Sequence, residues 1–171
     1  MAPRTAEGLT GIELEEFART VALDRLTDRD RSRSDLAGAM AKKAVPEEVA
    51  AAVLDRLEAV GLVDDERFAR TWVESRQRVK GLARPALAVE LRRHGIDEEL
   101  ARAVLDEQVQ AEDEREAARR LVRGRLPRLQ GLDSSVQLRR LAGFLARKGY
   151  SSAVAFEVVR EELAADAEQF E

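Results

Sequence analysis

At residues 93–105 the chain reads Arg93-His94-Gly95-Ile96-Asp97-Glu98-Glu99-Leu100-Ala101-Arg102-Ala103-Val104-Leu105, and this succession of residue types occurs three times. One copy, at 42–54, lies 51 residues earlier, and another, at 147–159, lies 54 residues later. Repeats of this period are typical of stacked supersecondary units whose apolar faces close against one another. The sequence therefore predicts an array of similar modules, and it directs the search for function to surfaces.

The apolar residues of each copy predict three helices. In the middle copy, one stripe holds Phe68, Ala69, Trp72 and Val73, which are spaced to share a helix face. The other two copies repeat this stripe at Phe17-Ala18, Val21-Ala22, Ala117-Ala118 and Leu121-Val122, and no strand pattern competes with it. We predict an all-α fold of three tandem three-helix repeats that form an elongated, curved array. Its segments are a flexible N-terminus at 1–11, repeats at 12–63, 64–111 and 112–164, and an acidic tail at 165–171.

Each copy has a junction between its second and third helices. Gly95 and Gly149 are predicted to end the second helix in the left-handed conformation, which glycine adopts without steric cost. Ala44 stands at the same place in the first copy, and there we expect Pro46 to start the next helix by holding Val45 extended. Since no Gly or Pro occurs from Ile96 to Val122, a helix is expected to run or bend through 112–114.

The composition indicates a protein without disulfides or membrane spans. Of the 171 residues, 36% are charged, against about 25% in ordinary globular proteins. The chain has no cysteine, no apolar run near the ~20 residues of a transmembrane helix and no signal-peptide pattern, so we expect a cytoplasmic address.

The charges lie in blocks along the chain, although their sum is only −4. Residues 67–93 carry eight basic and two acidic side chains, and residues 115–148 carry ten and two. Between them, residues 94–114 carry one arginine and eight carboxylates. This alternation of charge predicts a striped surface.

The sequence offers little catalytic chemistry. The lone histidine, His94, falls where the other copies have Lys43 and Lys148, which predicts a solvated basic position. The carboxylate pairs Glu47-Glu48, Asp64-Asp65 and Glu98-Glu99 are expected in first helical turns, where the helix dipole favours them, so they do not indicate a metal site. No phosphate-binding loop, nucleotide-binding glycine motif or nucleophile motif occurs. We expect neither enzymatic activity nor a cofactor.

The basic blocks contain the candidate binding residues. Guanidinium and ammonium groups neutralise phosphates, and such binding weakens steeply with salt. Aromatic side chains for base stacking are scarce, so base-specific reading is not indicated. The candidates for contact with a partner or with DNA are Arg76, Arg78, Lys80, Arg84, Arg92, Arg93, Arg119, Arg120, Arg123, Arg125, Arg139, Arg140, Arg147 and Lys148, with Arg128 in the same block.

Three segments of the sequence resemble the RecX family of bacterial regulatory proteins. They are Gly61-Leu62-Val63-Asp64-Asp65-Glu66-Arg67-Phe68-Ala69, then Lys80-Gly81, and then Glu90-Leu91-Arg92-Arg93-His94-Gly95-Ile96. The resemblance covers about residues 12–164, and the sequence departs from the family pattern at Ala44 and in its acidic tail.

The resemblance implies a monomer that binds RecA and its nucleoprotein filament, makes at most weak direct contact with DNA, and does not meet a membrane. It also implies inhibition of RecA's ATP hydrolysis, strand exchange and co-protease function, and hence a role in homologous recombination, DNA repair and the SOS response. Taken alone, the residues leave two other functions open. One is a stand-alone helical-repeat DNA-binding protein, and the other is a helical adaptor for a different protein.

Overall fold

Nine α-helices and one 3-10 turn make up the computed structural model, which describes residues 5–169. No strand occurs in that range, so the all-α prediction is confirmed. Residues 1–4 of the predicted N-terminal segment and residues 170–171 of the predicted tail lie outside the described part. The elements are α1 (Gly11–Asp28), α2 (Arg33–Ala41), α3 (Glu47–Ala59), α4 (Asp65–Lys80), α5 (Arg84–Arg93), α6 (Glu98–Gln108), α7 (Ala111–Arg125), the 3-10 turn (Leu126–Arg128), α8 (Ser134–Arg147) and α9 (Ser152–Gln169).

The chain divides into two compact units, whose boundaries fall within α4, α5 and α6. Unit 1 contains residues 1–70 and 91–100, and its core joins α1, α2 and α3 around Leu36, Met40 and Leu54. Unit 2 contains residues 71–90 and 101–171, and its core joins α7, α8 and α9 around Leu141 and Leu145. The predicted stripes also supply buried residues, which are Ala18, Val21, Ala22, Phe68, Ala69, Val73, Ala118 and Val122. No helix between residues 5 and 169 is long and apolar enough to span a bilayer.

All three junctions take the same left-handed turn. The backbone φ is 61° at Ala44, 69° at Gly95 and 96° at Gly149. Each turn is closed by the same two backbone hydrogen bonds; at Gly95, they run from the Gly95 N–H to the Arg92 carbonyl and from the Ile96 N–H to the Leu91 carbonyl. The expectation that the first junction departs from the pattern was wrong, because Ala44 itself adopts the left-handed conformation. Pro46 does stand at the start of α3, as its N-cap residue, and its carbonyl accepts the Ala50 N–H at 3.0 Å.

A carbonyl beside each turn is bonded to a segment that comes earlier in the chain. The Lys43 carbonyl accepts from the Ala6 N–H at 2.7 Å, and the Lys148 carbonyl accepts from the Ala83 N–H at 3.0 Å. The His94 carbonyl accepts from the buried Ser32 hydroxyl at 2.6 Å. We call these three bonds the junction bonds. Each one fixes a turn against residues far from it in sequence.

Residues 112–114 are helical, as expected, but the helix does not run into them from α6, because the chain breaks at 109–110. α6 ends at Gln108, Gln110 is extended, and α7 begins at Ala111. Glu112, Asp113 and Glu114 occupy the first turn of α7, where the positive end of the helix dipole stabilises carboxylates. The Glu114 carboxylate also accepts the Arg84 backbone N–H. The acidic run thus favours a new helix start.

Tyr150, the only tyrosine, links the third junction to the end of α4. Its side chain is buried, and its hydroxyl donates to the Gly81 carbonyl at 2.7 Å. Burial, followed by the nearby charge of Glu114, raises the pKa of Tyr150 to about 12. The neutral phenol is therefore the form that the folded protein favours.

We expect the stability of unit 2 to fall as the pH rises above 10. A folded pKa of about 12 against an unfolded value of 10.0 means that Tyr150 contributes fully below pH 10 and that this contribution is lost between about pH 10 and 12. By pH 11 the loss is about 1.4 kcal/mol, because one pH unit of linkage is worth that amount. Urea unfolding at a series of pH values measures the loss, and phenolate absorbance locates the pKa directly. Tyr150→Phe is the control, and an unchanged alkaline dependence in that variant would contradict the assignment.

Candidate functional site

The predicted basic residues lie on four α-helices (α4, α5, α7 and α8), in the 3-10 turn and at the C-terminal end of α8. Arg92 and Arg93 belong to unit 1, and the other candidates belong to unit 2. They fall into three groups: those held by carboxylates of the same chain, those around one cavity, and those that are simply exposed. The exposed group has no ion pair among residues 5–169 and consists of Arg78, Lys80, Arg92, Arg93 and Arg120.

Arg76 and Arg84 are tied to carboxylates within unit 2. The Arg76 guanidinium lies 4.1 Å from the centre of the Trp72 ring, and its Nε donates to Glu90 Oε2 at 3.1 Å. The Trp72 indole N–H donates to the same oxygen at 2.8 Å. Arg84 pairs with Asp106. A charge reversal at Arg76 or Arg84 would therefore break contacts inside the fold as well as any contact with a partner.

The basic face of α7 is covered by acidic residues of α9. Arg115 donates to both carboxylate oxygens of Glu157, at 3.0 and 2.8 Å, and these hydrogen bonds lower the pKa of Glu157. Arg123 donates to both oxygens of Glu162, at 2.7 and 2.9 Å. We call this set the α7–α9 ladder. Paired, bidentate arginines of this kind hold two helices together, and their charge is already balanced.

Arg119 lies between these two pairs. Its guanidinium is 3.6 Å from the Glu161 carboxylate on α9, and 3.4 and 3.5 Å from Glu116 and Glu112 on its own helix. Glu162, the acceptor of Arg123, is only 8% exposed. Arg119 and Arg123 were predicted as partner contacts, and the structure places both of them in the ladder.

Five arginines surround one cavity on unit 2. The cavity has a volume of about 320 Å³, and its remaining lining residues are Leu129, Leu141 and Gly143. No carboxylate from the described residues, 5–169, lines it. We call it the arginine pocket, and its basic residues are Arg125, Arg128, Arg139, Arg140 and Arg147. None of the five makes an ion pair within residues 5–169.

Stacking holds one of these side chains in place, and another lies near a glycine of α8. The Arg125 guanidinium lies 4.0 Å from the centre of the Phe144 ring, and the Lys148 ammonium lies 5.7 Å from the same centre. The Arg147 guanidinium lies over Gly143, where a β-carbon would be 3.6 Å from its Nη1. Phe144 and Gly143 were missed from sequence, although both fall within α8, between the predicted arginines.

His94 is not the solvated residue that the sequence predicted. Its Nδ1 lies 2.7 Å from Asp35 Oδ2, its side chain is 26% exposed, and its ring meets Phe68 edge-on at 5.2 Å between centres. The repeat correctly predicts a basic residue at a junction. The acceptor, Asp35, lies on α2, 59 residues earlier in the chain.

Unit 1 carries an apolar groove of about 400 Å³ between α1 and α3. Ile12, Val60 and Leu62 line it and are 77%, 69% and 46% exposed. Charged residues of both signs, including Glu15, also line it. Sequence analysis missed this groove. The only available signal was the pair of apolar residues on either side of Gly61.

No group of acidic, histidine or cysteine side chains that could hold a metal ion occurs between residues 5 and 169. The carboxylate pairs at 47–48, 64–65 and 98–99 lie at or beside helix starts, as predicted. Asp97, for example, accepts the N–H groups of Glu99 and Leu100 at 3.1 and 3.2 Å. Asp64 likewise caps α4 by accepting the Arg67 N–H at 2.9 Å, and the glutamates at 47–48 and 98–99 occupy first helical turns, where the helix dipole favours them.

Three family models match the chain in order. They describe the first, second and third three-helix domains of RecX, and they match residues 18–57, 64–105 and 112–159. A protein named "Regulatory protein RecX" from Thermobifida fusca is 45% identical over 174 aligned residues, covering 97% of this chain and 94% of that protein. The protein of the same name from Streptomyces coelicolor is 48% identical, covering 91% of this chain and 82% of its own length.

Two solved structures have a similar fold. A crystal structure of regulatory protein RecX superposes with a TM-score of 0.76 at 25% identity, covering 88% of this chain and 73% of that one. The crystal structure of RecX from Lactobacillus salivarius gives the same TM-score at 17% identity, covering 88% of this chain and 97% of that one. At that lower identity the likeness concerns the fold alone.

Proposed function

The chain belongs to the RecX family of regulatory proteins, and on that premise we propose that it binds RecA on its nucleoprotein filament and inhibits RecA's ATPase, recombinase and co-protease activities. The observation that carries the proposal is the match of all three three-helix domains, in order, together with relatives named as regulatory proteins over almost the whole length. Through RecA, the protein would act on homologous recombination, DNA repair and the SOS response in the cytoplasm.

In this function the protein acts by binding and catalyses no reaction itself. We propose that it works as a monomer built from modules at 12–63, 64–111 and 112–164. The family matches support that division, and the names of the relatives describe regulation. The exposed basic residues Arg78, Lys80, Arg92, Arg93 and Arg120 are the first candidates for contact with RecA, because no ion pair with residues 5–169 has to be broken before they bind.

We expect the protein to lower the single-stranded-DNA-dependent ATP hydrolysis of RecA when it is titrated into the reaction. Inhibition should be strong at protein concentrations where the protein alone leaves most of the DNA unbound, because the proposed target is the filament. The measurement is the rate of ATP hydrolysis against protein concentration. DNA binding of the protein without RecA is measured in the same buffer.

Two other results would contradict the proposal. Inhibition that begins only when the protein already coats the DNA would indicate competition for DNA and a stand-alone DNA-binding protein, whose effect would fade steeply with salt. If saturating protein has no effect on ATP hydrolysis by RecA, the remaining function is that of a helical adaptor for another protein.

A further inference from the structure

We propose that the arginine pocket binds the backbone phosphates of nucleic acid, and that it is the place where this regulator touches DNA. The pocket brings together Arg125 and Arg128, at the end of α7 and in the 3-10 turn, with Arg139, Arg140 and Arg147 of α8. The inference rests on the proposed function for its setting, since a regulator of a nucleoprotein filament works beside DNA. It can be tested without RecA.

The arginines of the pocket are not neutralised by carboxylates of the described chain, unlike those of the α7–α9 ladder. In the α7–α9 ladder, Arg115, Arg119 and Arg123 have carboxylate partners at 2.7–3.6 Å. Around the pocket, five guanidinium groups share one cavity, and no carboxylate in the described part of the chain lines it. Like charges gathered in this way repel one another and raise the local positive potential. An anion that enters the cavity relieves this repulsion, whereas one that approached the ladder would have to displace existing partners.

Part of the pocket is already ordered before a ligand binds. The Arg125 guanidinium is stacked on Phe144 at 4.0 Å from the ring centre. The 3-10 turn is fixed by the Leu129 N–H, which donates to Leu126 at 2.9 Å, and by the Gln137 side chain, which donates to the Leu129 carbonyl at 2.9 Å. Groups that are already ordered lose less conformational entropy when a ligand binds.

The glycine in α8 fits the same interpretation. Gly143 lies in the interior of the helix, where glycine is less stable than alanine by roughly 0.5–1 kcal/mol. It also lines the pocket, so the backbone at this point is open to a ligand. Close approach of a ligand to the backbone is one of the uses that offsets this cost of glycine.

Phosphodiesters suit the pocket better than an acidic protein surface does. A nucleic-acid strand carries one charge on every nucleotide, and the planar guanidinium fork binds two phosphate oxygens at once. An acidic peptide would have to order several flexible carboxylate side chains to offer the same charge density, at an entropic cost for each one. Among the described residues, the cavity is lined, apart from the five arginines, by Leu129, Leu141 and Gly143, and these three offer no polar side-chain group to read a base edge. The pocket therefore predicts binding that is independent of sequence.

The test compares wild type with the triple variant Arg128→Gln/Arg139→Gln/Arg140→Gln, using a fluorescent single-stranded oligothymidylate at several salt concentrations. All three side chains are exposed, so the variant is expected to fold, and circular dichroism checks this. We expect its affinity to fall at least tenfold at low salt. The slope of log affinity against log salt should fall in magnitude by about 2, because three phosphate contacts on a single strand release about that many counterions.

A matched control removes three positive charges elsewhere. Arg25, Arg29 and Lys42 are exposed residues of unit 1, and Arg25→Gln/Arg29→Gln/Lys42→Gln gives the same net charge. This control should bind the oligonucleotide much as wild type does. If the pocket variant also binds as wild type does, or loses no more affinity than the control, the inference is overturned.

The remaining outcomes separate the inference from the proposed function. If the pocket variant loses inhibition of RecA but keeps its affinity for DNA, the pocket faces protein and the inference is overturned. A wild-type protein without measurable affinity for the oligonucleotide at low salt overturns it as well. If wild type binds DNA through the pocket but has no effect on RecA, the proposed function fails and the phosphate site stands.

Discussion

Replacing Gly149 by alanine is expected to destabilise unit 2 by about 3 kcal/mol or more, the sum of a conformational and a steric cost. The backbone φ of 96° at this residue is one that side chains with a β-carbon rarely adopt. An added β-carbon would lie 2.6 Å from the β-carbon of Ala86 and 2.9 Å from its backbone nitrogen. Backbone atoms cannot move away by a change of rotamer, so α5 or the junction has to shift.

Urea unfolding followed by tryptophan fluorescence measures this effect, because the single tryptophan, Trp72, lies in unit 2. Ala44→Gly is the matched control, because Ala44 is exposed and has a φ of 61° in the corresponding turn of unit 1. It should make the protein more stable by about 1 kcal/mol, because it relieves left-handed strain. A loss below about 1 kcal/mol for Gly149→Ala would show that the contact with Ala86 relaxes easily.

Ser32→Ala is expected to destabilise unit 1 by about 2–4 kcal/mol, the sum of a lost helix cap and an unsatisfied buried carbonyl. The Ser32 hydroxyl accepts the Asp35 N–H at 3.1 Å at the start of α2 and donates to the His94 carbonyl at 2.6 Å. The side chain is completely buried, so water cannot replace either bond without rearrangement. One substitution therefore removes a cap and a junction bond together.

Ser151→Ala separates the two contributions. Ser151 caps α9 by accepting the Val154 N–H at 3.3 Å, and it is exposed. Loss of that cap should cost only about 0.5–1 kcal/mol. Hydrogen exchange at the amides of α2 measures the local effect of Ser32→Ala, because amides at the start of the helix lose protection from exchange when that end of the helix opens. Equal losses in the two variants would mean that the bond to His94 adds nothing.

The repeated junction made much of the fold predictable. The same residue types recur at fixed spacing, and helix stripes and left-handed turns depend mainly on local sequence, so α1 to α9 follow from the pattern. Ala44 was misjudged because the two hydrogen bonds of the turn hold the left-handed conformation there, even though an alanine adopts it at a cost of about 1 kcal/mol. The break between α6 and α7 was missed because the acidic run at 112–114 was not weighed as a helix start, although no Gly or Pro marks the break.

For the candidate site, the sequence predicted which residues are basic but not which carboxylates they contact. Arg115 and Glu157 are 42 residues apart, and Arg123 and Glu162 are 39 residues apart, so nothing local pairs them. The sequence could therefore not divide the arginines into those of the α7–α9 ladder and those of the arginine pocket. That division depends on which face of α7 meets α9, which tertiary packing decides. The same is true of His94, whose partner Asp35 is 59 residues away.

The junction bonds limit how much of the structure can form while the chain is still being synthesised on the ribosome. A nascent protein emerges from its N-terminus, but Ser32 finds its acceptor 62 residues later, and Ala83 finds its acceptor at Lys148. A truncated product that ends near residue 111 would contain two complete sets of three helices. It would still lack Lys148, whose carbonyl accepts the Ala83 N–H, and Tyr150, whose hydroxyl donates to the Gly81 carbonyl. Cutting between sequence repeats is therefore a poor way to obtain independently folding fragments of this protein.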